Sequence, residues 1–377
     1  MEIKALRYVD IKQISEDLFI VSDPFCIAED FVVNRITLLI MFLLDGSRTF
    51  DQIRKEIVHK TGVYIKDEEL KEIVSFFEQN GLFLNDSFEK IRKQRVEDIR
   101  KKGYLDFYFA DRNIPSNPLD AISFLRLDKI KQKGQYLAAI IPHLEIRLAL
   151  PAYQVGYENL DRESFQRVFI LGVSHYFHQG LISVFPYDFH TPFGIIETDR
   201  QVVRAISREF KIDIFENLLS YKKEHSIGFQ LPFIKYLFNN PKVVGILVSY
   251  TEDLEYAKKY LSDVASFISA NYPDSVFISS VDFSHVGRKF GDKKLIDPEE
   301  IDRKYISFLD NIDPEGSIEY LKNIKNETRI DGVMTNYLFL KIIKFSNFTK
   351  SKVLIYEKYF EKETNSMVSY STIVFGK

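Results

Sequence analysis

The sequence predicts an α/β protein in which a large domain with a central, mostly parallel sheet is joined to a smaller helical domain. Short apolar runs alternate with helical patterns beyond about residue 135, as is typical of strands that helices cover on both faces. The chain has 377 residues, enough for two or three domains, and its 45% hydrophobic and 28% charged residues are typical of globular proteins. The first 85 residues have a separate helical pattern.

The strands of the large domain, 136–377, are predicted where apolar residues run almost without interruption. These runs lie at 137–141, 168–171, 243–248 and 276–279. Apolar residues at helical spacing fill the intervals and the region that follows, at 200–210, 231–238, 253–270, 299–309 and 332–345. Two later runs, 353–356 and 371–375, predict closing strands that pair antiparallel at an edge.

Residues 1–85 are predicted to form the small domain. A short strand signal at 17–22 precedes an apolar stretch, 36–44, and then two helices that begin at Thr49 and near Leu70. A short wing strand is expected at 82–84. The apolar helix, the turn at 44–46 and the ending at 77–82 resemble PqqD-like peptide-recognition domains and other winged helices, which implies a peptide or protein partner for this domain.

Residues 86–135 are predicted to be a charged linking helix followed by a linker. Seven basic and four acidic residues lie between positions 86 and 103. Apolar residues at helical spacing share one side, at Phe88, Ile91, Val96 and Ile99. The charges are therefore expected to form a solvated face, and a nucleic-acid partner is disfavoured.

Composition excludes several classes of protein. The net charge of −3 gives the whole chain no general attraction for nucleic acid or an anionic membrane. One cysteine, Cys26, excludes an internal disulfide, a four-cysteine zinc site and a chain-ligated iron–sulfur cluster. Because the N-terminus lacks a signal-peptide pattern and the longest apolar run is half a membrane span, we expect a soluble cytoplasmic protein.

Six of the seven histidines lie between positions 143 and 285, and three of these follow predicted strands. His143 and His175 come directly after two of them, and Asp282 with His285 after a third. Loops that leave parallel strands at their carboxyl ends converge and bind ligands. One such histidine alone is usually structural, but three at one edge favour a site. The other histidines at 59, 178 and 190 need no special role.

Glu224 and His225 lie between two of these strands and open a predicted helix. Capping of that helix by the carboxylate explains Glu224 on its own. His225 remains open between a structural role and one in orienting a ligand or polarising a substrate.

Five ordered blocks carry a resemblance to a known family. They are Ile141-Pro-His143, Val168 to His175, Thr191-Pro-Phe-Gly194 with Asp199, Glu224 to Ile227 with Gln230-Leu-Pro-Phe233, and Ser279 to Gly287. Over about 136–345 the chain resembles the Memo-like family. The resemblance implies the fold of class III extradiol dioxygenases, which are non-haem iron enzymes. It also implies association with a radical-SAM protein, as in the microbial AmmeMemoRadiSam system.

The resemblance also assigns residues. It places His143 and His175 in the site, together with Asp282 and His285, and the cysteine of the family's "ICG" block is replaced here by Asp331. Two histidines and one carboxylate form the facial triad that non-haem Fe(II) enzymes prefer, whereas a thiolate would favour Cu(I) or Zn(II). The chain lacks the Gly-Tyr that follows the family's "PHA" and the acidic residue that follows its "EHSI".

The roles implied are specific. His143, His175 and Asp331 would hold one divalent metal, iron before copper or zinc, and His285 would be the acid or base. Asp282 would fix the tautomer of His285 or add a ligand. Asp331 also precedes a predicted helix, so the alternative of an N-cap stays open.

Three functions are compatible with these features. The first is metal-assisted oxidation or ring opening of a small polar or aromatic substrate. The second is a non-catalytic adaptor that binds a peptide or protein through the strand-end pocket and the N-terminal domain. The third is a metallohydrolase in which His285 or Glu224 activates metal-bound water.

Overall fold

The computed structural model describes residues 5–165 and 167–377, so the first four residues of the charged N-terminal stretch lie outside it. The chain divides into two units. The first contains residues up to Lys102 together with His175–Phe177, and the second contains Gly103–Ser174 and His178–Lys377. The charged helix expected to link two domains groups with the first unit, and residues 103–135 group with the second.

The first unit combines a three-stranded antiparallel sheet with four helices. The strands, in their order across the sheet, are β1 (Asp10–Gln13), β2 (Leu18–Ser22) and β3 (Phe31–Asn34). The helices are α1 (Arg35–Leu43), α2 (Phe50–Thr61), α3 (Asp67–Gln79) and α4 (Asp86–Lys102). Helix α2 begins at the predicted cap, because Thr49 and Gln52 form a reciprocal capping box.

The sequence predicted the helices of this unit better than its strands. Strand β2 lies where a strand was expected, but β1 was not predicted, because its four exposed residues carry no apolar alternation. The expected wing strand is not found among the described residues, where Phe83 forms an isolated bridge with Leu6. A PqqD-like identity therefore stays a resemblance.

The second unit is built on an eleven-stranded mixed sheet. Its path across the sheet is β12-β14-β5-β11-β6-β10-β9-β8-β4, with β13 paired to β14 and β7 paired to β10. The strands are β4 (Tyr104–Leu105), β5 (Ala138–Ile141), β6 (Arg167–Val173), β7 (Ile182–Val184), β8 (Asp188–Thr191), β9 (Gly194–Thr198), β10 (Lys242–Val248), β11 (Val276–Ser280), β12 (His285–Gly287), β13 (Lys350–Glu361) and β14 (Ser366–Gly376).

Helices flank this sheet. They are α5 (Pro118–Leu125), α6 (Ile146–Asn159), α7 (Arg200–Phe210), α8 (His225–Gly228), α9 (Leu231–Leu237), α10 (Leu254–Asn271), α11 (Glu299–Asp310), α12 (Pro314–Asn323) and α13 (Val333–Phe345). The predicted α/β class and all five predicted helices are confirmed. Among the described residues, no helix is long and apolar enough to cross a membrane.

The register of the parallel strands brings three chain segments to one edge. Strands β5, β11, β6 and β10 are parallel neighbours, and every residue of β5 and β11 is buried. Ser280 of β11 pairs with Ile141 of β5, and Ser279 pairs with Leu171 of β6. Since the carboxyl ends are level, the residues that follow them emerge at the same edge.

Candidate metal site

His143 follows β5, is 2% exposed and is held in one ring orientation. Its Nδ1 lies 2.9 Å from the carbonyl oxygen of Ser280. A carbonyl oxygen only accepts hydrogen bonds, so Nδ1 carries a proton, and in the neutral form of the ring the lone pair is therefore at Nε2. This arrangement is typical of histidines that ligate metals through Nε2.

The backbone around His143 is fixed as well. The N–H groups of His143 and Leu144 both donate to Oδ1 of Asp282 at 3.0 Å. The hydroxyl of Tyr153 donates to the carbonyl oxygen of Leu144 at 2.9 Å, and burial raises the pKa of Tyr153, which keeps this hydroxyl a donor. Asp282 thus anchors the loop that carries His143.

Gln230 joins the ends of two strands behind His143. Its Nε2 donates to the carbonyl oxygen of Pro142 and to Oγ of Ser280, both at 2.9 Å. Its Oε1 accepts a bond from the hydroxyl of Tyr157 at 2.9 Å. Gln230 is fully buried, so these bonds are shielded from water and fix the position of the Ser280 carbonyl that orients His143.

His143, His175 and His225 form a cluster. Each offers one ring nitrogen, and these atoms all lie within 4.8 Å of one another. The three residues differ in burial: His143 is buried, His225 is half-buried and His175 is exposed. They come from three places in the chain, directly after β5, after β6 and at the start of α8.

Glu224 and Ser226 place His225 beside β6. Oε1 of Glu224 accepts a bond from the N–H of Ser226 at 3.0 Å, which confirms the predicted cap. Oγ of Ser226 lies 3.0 Å from the carbonyl oxygen of Val173 and so ties α8 to the end of β6. Gly172 permits this approach, because a Cβ there would lie 2.5 Å from Oγ of Ser226.

Asp331 contacts one member of the cluster, His143, and is not itself one of the three clustered residues. Its Oδ2 is 3.0 Å from Nε2 of His143. The alternative that Asp331 caps the following helix is wrong: the N-cap of α13 is Gly332, and no side chain makes a capping bond there. Gly332 has a φ of 61° and a Cβ would lie 2.3 Å from Cγ1 of Val281, so only glycine fits. The turn directs the Asp331 carboxylate towards His143 instead.

The donor set suits a divalent transition metal. Imidazole nitrogens and carboxylate oxygens are ligands of iron, zinc and manganese. Two ligand atoms about 2.1 Å from one ion and about 90–110° apart are roughly 3.0–3.4 Å from each other. The 3.0 Å spacing of Nε2 of His143 and Oδ2 of Asp331 is that of neighbouring ligands of one ion.

Comparison with known proteins places this site in a family. The profile described as "Memo-like protein" matches residues 107–374 of the chain. A MEMO1 family protein of Aquifex aeolicus is 37% identical over 375 residues, which cover 98% of this chain and 99% of the relative. The chain belongs to the Memo-like family.

Other Memo-like proteins are more distant. A MEMO1 family protein of Thermus thermophilus is 26% identical, with 87% of this chain and 99% of that protein covered. The protein named MEMO1 of Danio rerio is 28% identical over 214 residues, with 51% of this chain and 68% of that protein covered. The zebrafish similarity covers about half of this chain, whereas the Aquifex similarity extends through both units.

The missing acidic residue after "EHSI" has a packing explanation in this Memo-like chain. A Cβ on Gly228 would lie 2.2 Å from Cε2 of Phe109, so that ring occupies the space a side chain at 228 would need. The ring of Phe109 packs edge-on against Phe229 at 4.8 Å, and Phe229 against His225 at 5.7 Å. The rings of Phe109 and Phe229 therefore form an apolar aromatic surface on one side of His225.

The remaining expected residues occupy supporting positions. Oδ2 of Asp282 is 3.7 Å from Nε2 of His143, whereas Nδ1 of His285 is 2.9 Å from the carbonyl oxygen of Phe283. The backbone, not Asp282, therefore fixes the proton on Nδ1 of His285. His285 lies outside the three-histidine cluster found among the described residues.

Proposed function

We propose that this Memo-like protein is a metal-dependent enzyme that binds one divalent ion with His143, His175 and His225 and with the Asp331 carboxylate beside them. The main support is the contact between Nε2 of His143 and Oδ2 of Asp331. Nδ1 of His143 bonds to the Ser280 carbonyl, and its Nε2 lies 3.0 Å from Oδ2 of Asp331, so an imidazole nitrogen and a carboxylate oxygen converge on one place. Both atoms are of the type that binds divalent transition metals.

The proposed ligand set extends the facial triad expected from the sequence. Imidazole nitrogens suit Fe(II), zinc and copper alike, and we propose Fe(II) first because the subset of His143, His175 and Asp331 is a set of two histidines and one carboxylate. When bound, such an ion supplies Lewis-acid and redox chemistry at the positions that the protein leaves to substrate. The buried His143 and the anchored α8 hold their ligand atoms, and His175 is the exposed member of the set.

His285 is the proposed proton carrier. Its Nδ1 contacts the carbonyl oxygens of Phe283 and Arg329 at 2.9 and 3.3 Å, so Nε2 is the atom that exchanges a proton. An imidazole can accept or donate a proton at this atom, as general acid–base catalysis requires. We propose metal-assisted oxidation or ring opening of a small polar or aromatic substrate as the reaction class. The alternative reaction class, a metallohydrolase, would differ in being active without oxygen and with zinc or manganese as its metal.

Metal content tests this proposal. Protein purified without oxygen is analysed by elemental mass spectrometry as wild type, His143→Ala, His225→Ala and, as control, His190→Ala, whose residue is exposed on β8. We expect about one metal ion per chain in the wild type and the control, and none in the two site variants. Stoichiometric metal in His225→Ala would remove that residue from the ligand set, and no metal in the wild type would refute the proposal.

A second candidate function, peptide binding, is favoured by the first unit. All four residues of β1 are exposed, and within the described residues β1 pairs only with β2. An open strand of this kind can add a peptide strand through backbone hydrogen bonds. We expect full-length protein to select extended apolar peptides from a peptide array and Lys12→Pro to weaken this binding. Selection unaffected by Lys12→Pro would exclude β1 as the docking strand.

A further inference from the structure

Two short segments of the second unit, 283–285 and 328–331, lie side by side at the site. The N–H of His285 donates to the carbonyl oxygen of Thr328 at 2.8 Å, and the N–H of Asp331 donates to that of Phe283 at 3.1 Å. The proposed proton carrier and the proposed carboxylate ligand are therefore placed by one backbone pairing. A shift of either segment moves both groups.

Arg329 binds these segments to a third. Its guanidinium donates to the carbonyl oxygen of His285 at 3.0 Å and to both carboxylate oxygens of Asp292, at 3.0 and 2.5 Å. Asp292 also accepts a bond from the N–H of Gly287 at 2.8 Å. The carbonyl oxygen of Arg329 lies 3.3 Å from Nδ1 of His285. Arg329 thus contacts the His285 segment through its side chain and its backbone.

The segment before Asp331 has a strained backbone. Lys325, Asn326 and Arg329 have φ values of 53°, 42° and 54°, in the left-handed region that residues with a Cβ rarely occupy. Such conformations persist only where surrounding contacts enforce them. Asn326 meets this need by bonding the N–H and the carbonyl of Ile330 at 2.8 and 2.9 Å. At Arg329 the guanidinium contacts do the same.

We propose that Arg329 and Asp292 form a clamp that positions the Asp331 carboxylate against His143 and so tunes metal binding. Arg329 is a positioning residue, since it acts through Asp331. The inference rests on the proposed metal site. It assigns a role to Asp292 and Arg329, which lie outside the five blocks that carry the family resemblance. Arg329 is two residues before Asp331, the position of the replaced cysteine.

A stability role alone does not explain this geometry. The Arg329 and Asp292 side chains are 41% and 22% exposed, and ion pairs at such exposure contribute little to folding. The planar guanidinium nevertheless reaches a carbonyl and two carboxylate oxygens at once, which a lysine ammonium cannot reproduce. The substitution Arg329→Lys therefore keeps the positive charge and removes the planar arrangement of hydrogen-bond donors.

Cobalt(II) binding to the full-length protein tests the clamp, with visible absorption reporting both affinity and the ligand environment. The variants are Arg329→Lys, Asp292→Asn, Asp331→Asn and the double variant Arg329→Lys/Asp331→Asn. Arg200→Lys is the matched control, because Arg200 pairs with Asp188 at 2.9 Å away from the cluster.

We expect Arg329→Lys and Asp292→Asn each to weaken cobalt binding about 10-fold, with a changed visible spectrum, as is typical of residues that orient ligands. The Arg200→Lys control should bind within about twofold of wild type, because its pair contacts no proposed ligand. The double variant should bind like Asp331→Asn alone, because Arg329 acts through Asp331.

Three results would overturn the clamp. The clamp is excluded if Arg329→Lys binds cobalt with the affinity and the spectrum of the wild type. It is also excluded if Arg329→Lys has a lowered melting temperature but unchanged cobalt binding. Full additivity in the double variant shows that Arg329 does not act through Asp331. If the wild type binds no cobalt at this site, the proposed function fails along with the clamp, whereas the first three results leave the metal site intact.

Discussion

The two edges of the parallel strands carry polar residues in contrasting arrangements. At the amino-terminal edge a cleft of about 670 Å³ is lined by charged side chains that include Arg167, Asp199 and Arg200. The cations there have carboxylate partners, as in the 2.8 Å pair of Arg167 with Asp199. At the carboxyl-terminal edge Nε2 of His143 lies 3.0 Å from Oδ2 of Asp331, beside the other two histidines of the cluster. The cleft at one edge therefore consists of ion pairs, whereas the other edge holds a set of potential metal ligands.

The largest expected difference between the edges comes from His143→Ala. Removal of this buried ligand should weaken Fe(II) or cobalt binding by more than about 100-fold, because no neighbouring side chain replaces Nε2. Arg167→Ala at the opposite edge should leave metal binding unchanged. Isothermal titration calorimetry on both variants measures this, and equal losses would show that the edges do not differ in metal binding.

Gln230→Leu tests the residue behind the ligand. The change removes the side-chain partner of the Pro142 carbonyl and the Ser280 hydroxyl and leaves the Tyr157 hydroxyl with its 3.3 Å bond to the backbone carbonyl of residue 230. This loss should cost about 1–3 kcal/mol of unfolding free energy. Metal affinity should fall roughly 10-fold, since the Ser280 carbonyl orients His143. Urea unfolding and metal titration measure the two effects. A stability loss with unchanged affinity would limit Gln230 to a structural role.

Asp331 and Asp199 each precede a helix, one at each edge, and should respond in opposite ways. Asp199 accepts a bond from the N–H of Val202 and caps α7, so Asp199→Ala should lose about 1 kcal/mol of stability with metal affinity unchanged. Asp331→Ala should weaken metal binding about 10-fold with little loss of stability. The reverse pattern would restore the capping role to Asp331.

The smallest expected effect is that of Arg200→Ala in the amino-terminal cleft. Its ion pair with Asp188 is partly exposed, so the loss of stability should stay below about 1 kcal/mol and shrink further at high salt. Thermal unfolding at two salt concentrations measures this. A large loss that does not depend on salt would mean that this edge contributes more than solvated ion pairs.

Strand-end chemistry could be predicted from the sequence because it depends on local patterns. The apolar runs in the sequence predicted the positions of β5, β6 and β11. The register of these strands in the structure places His143 and His175 at the same edge of the sheet. His225 was left open between two roles, because its position depends on the tie between Ser226 and Val173, residues far apart in the chain. Long-range bonds of this kind have no signal in a single sequence.

Backbone conformation limited the rest of the prediction. Asp331 before an apolar helix has the sequence pattern of an N-cap, but the left-handed Gly332 makes the cap and directs the carboxylate elsewhere. The hydrogen bond from Nδ1 of His143 to the Ser280 carbonyl could not be predicted from the sequence either, because every residue has a backbone carbonyl. The exposed β1 strand was missed because its pairing with β2, rather than apolar burial, defines it.

The position of the metal in a crystal of metal-loaded protein tests the central claim most directly. An anomalous difference map measured at the metal edge should show one peak per chain, about 2.0–2.3 Å from ring nitrogens of His143, His175 and His225 and from an Asp331 oxygen. A peak among the carboxylates of the amino-terminal cleft, with none at the three histidines, would contradict the account.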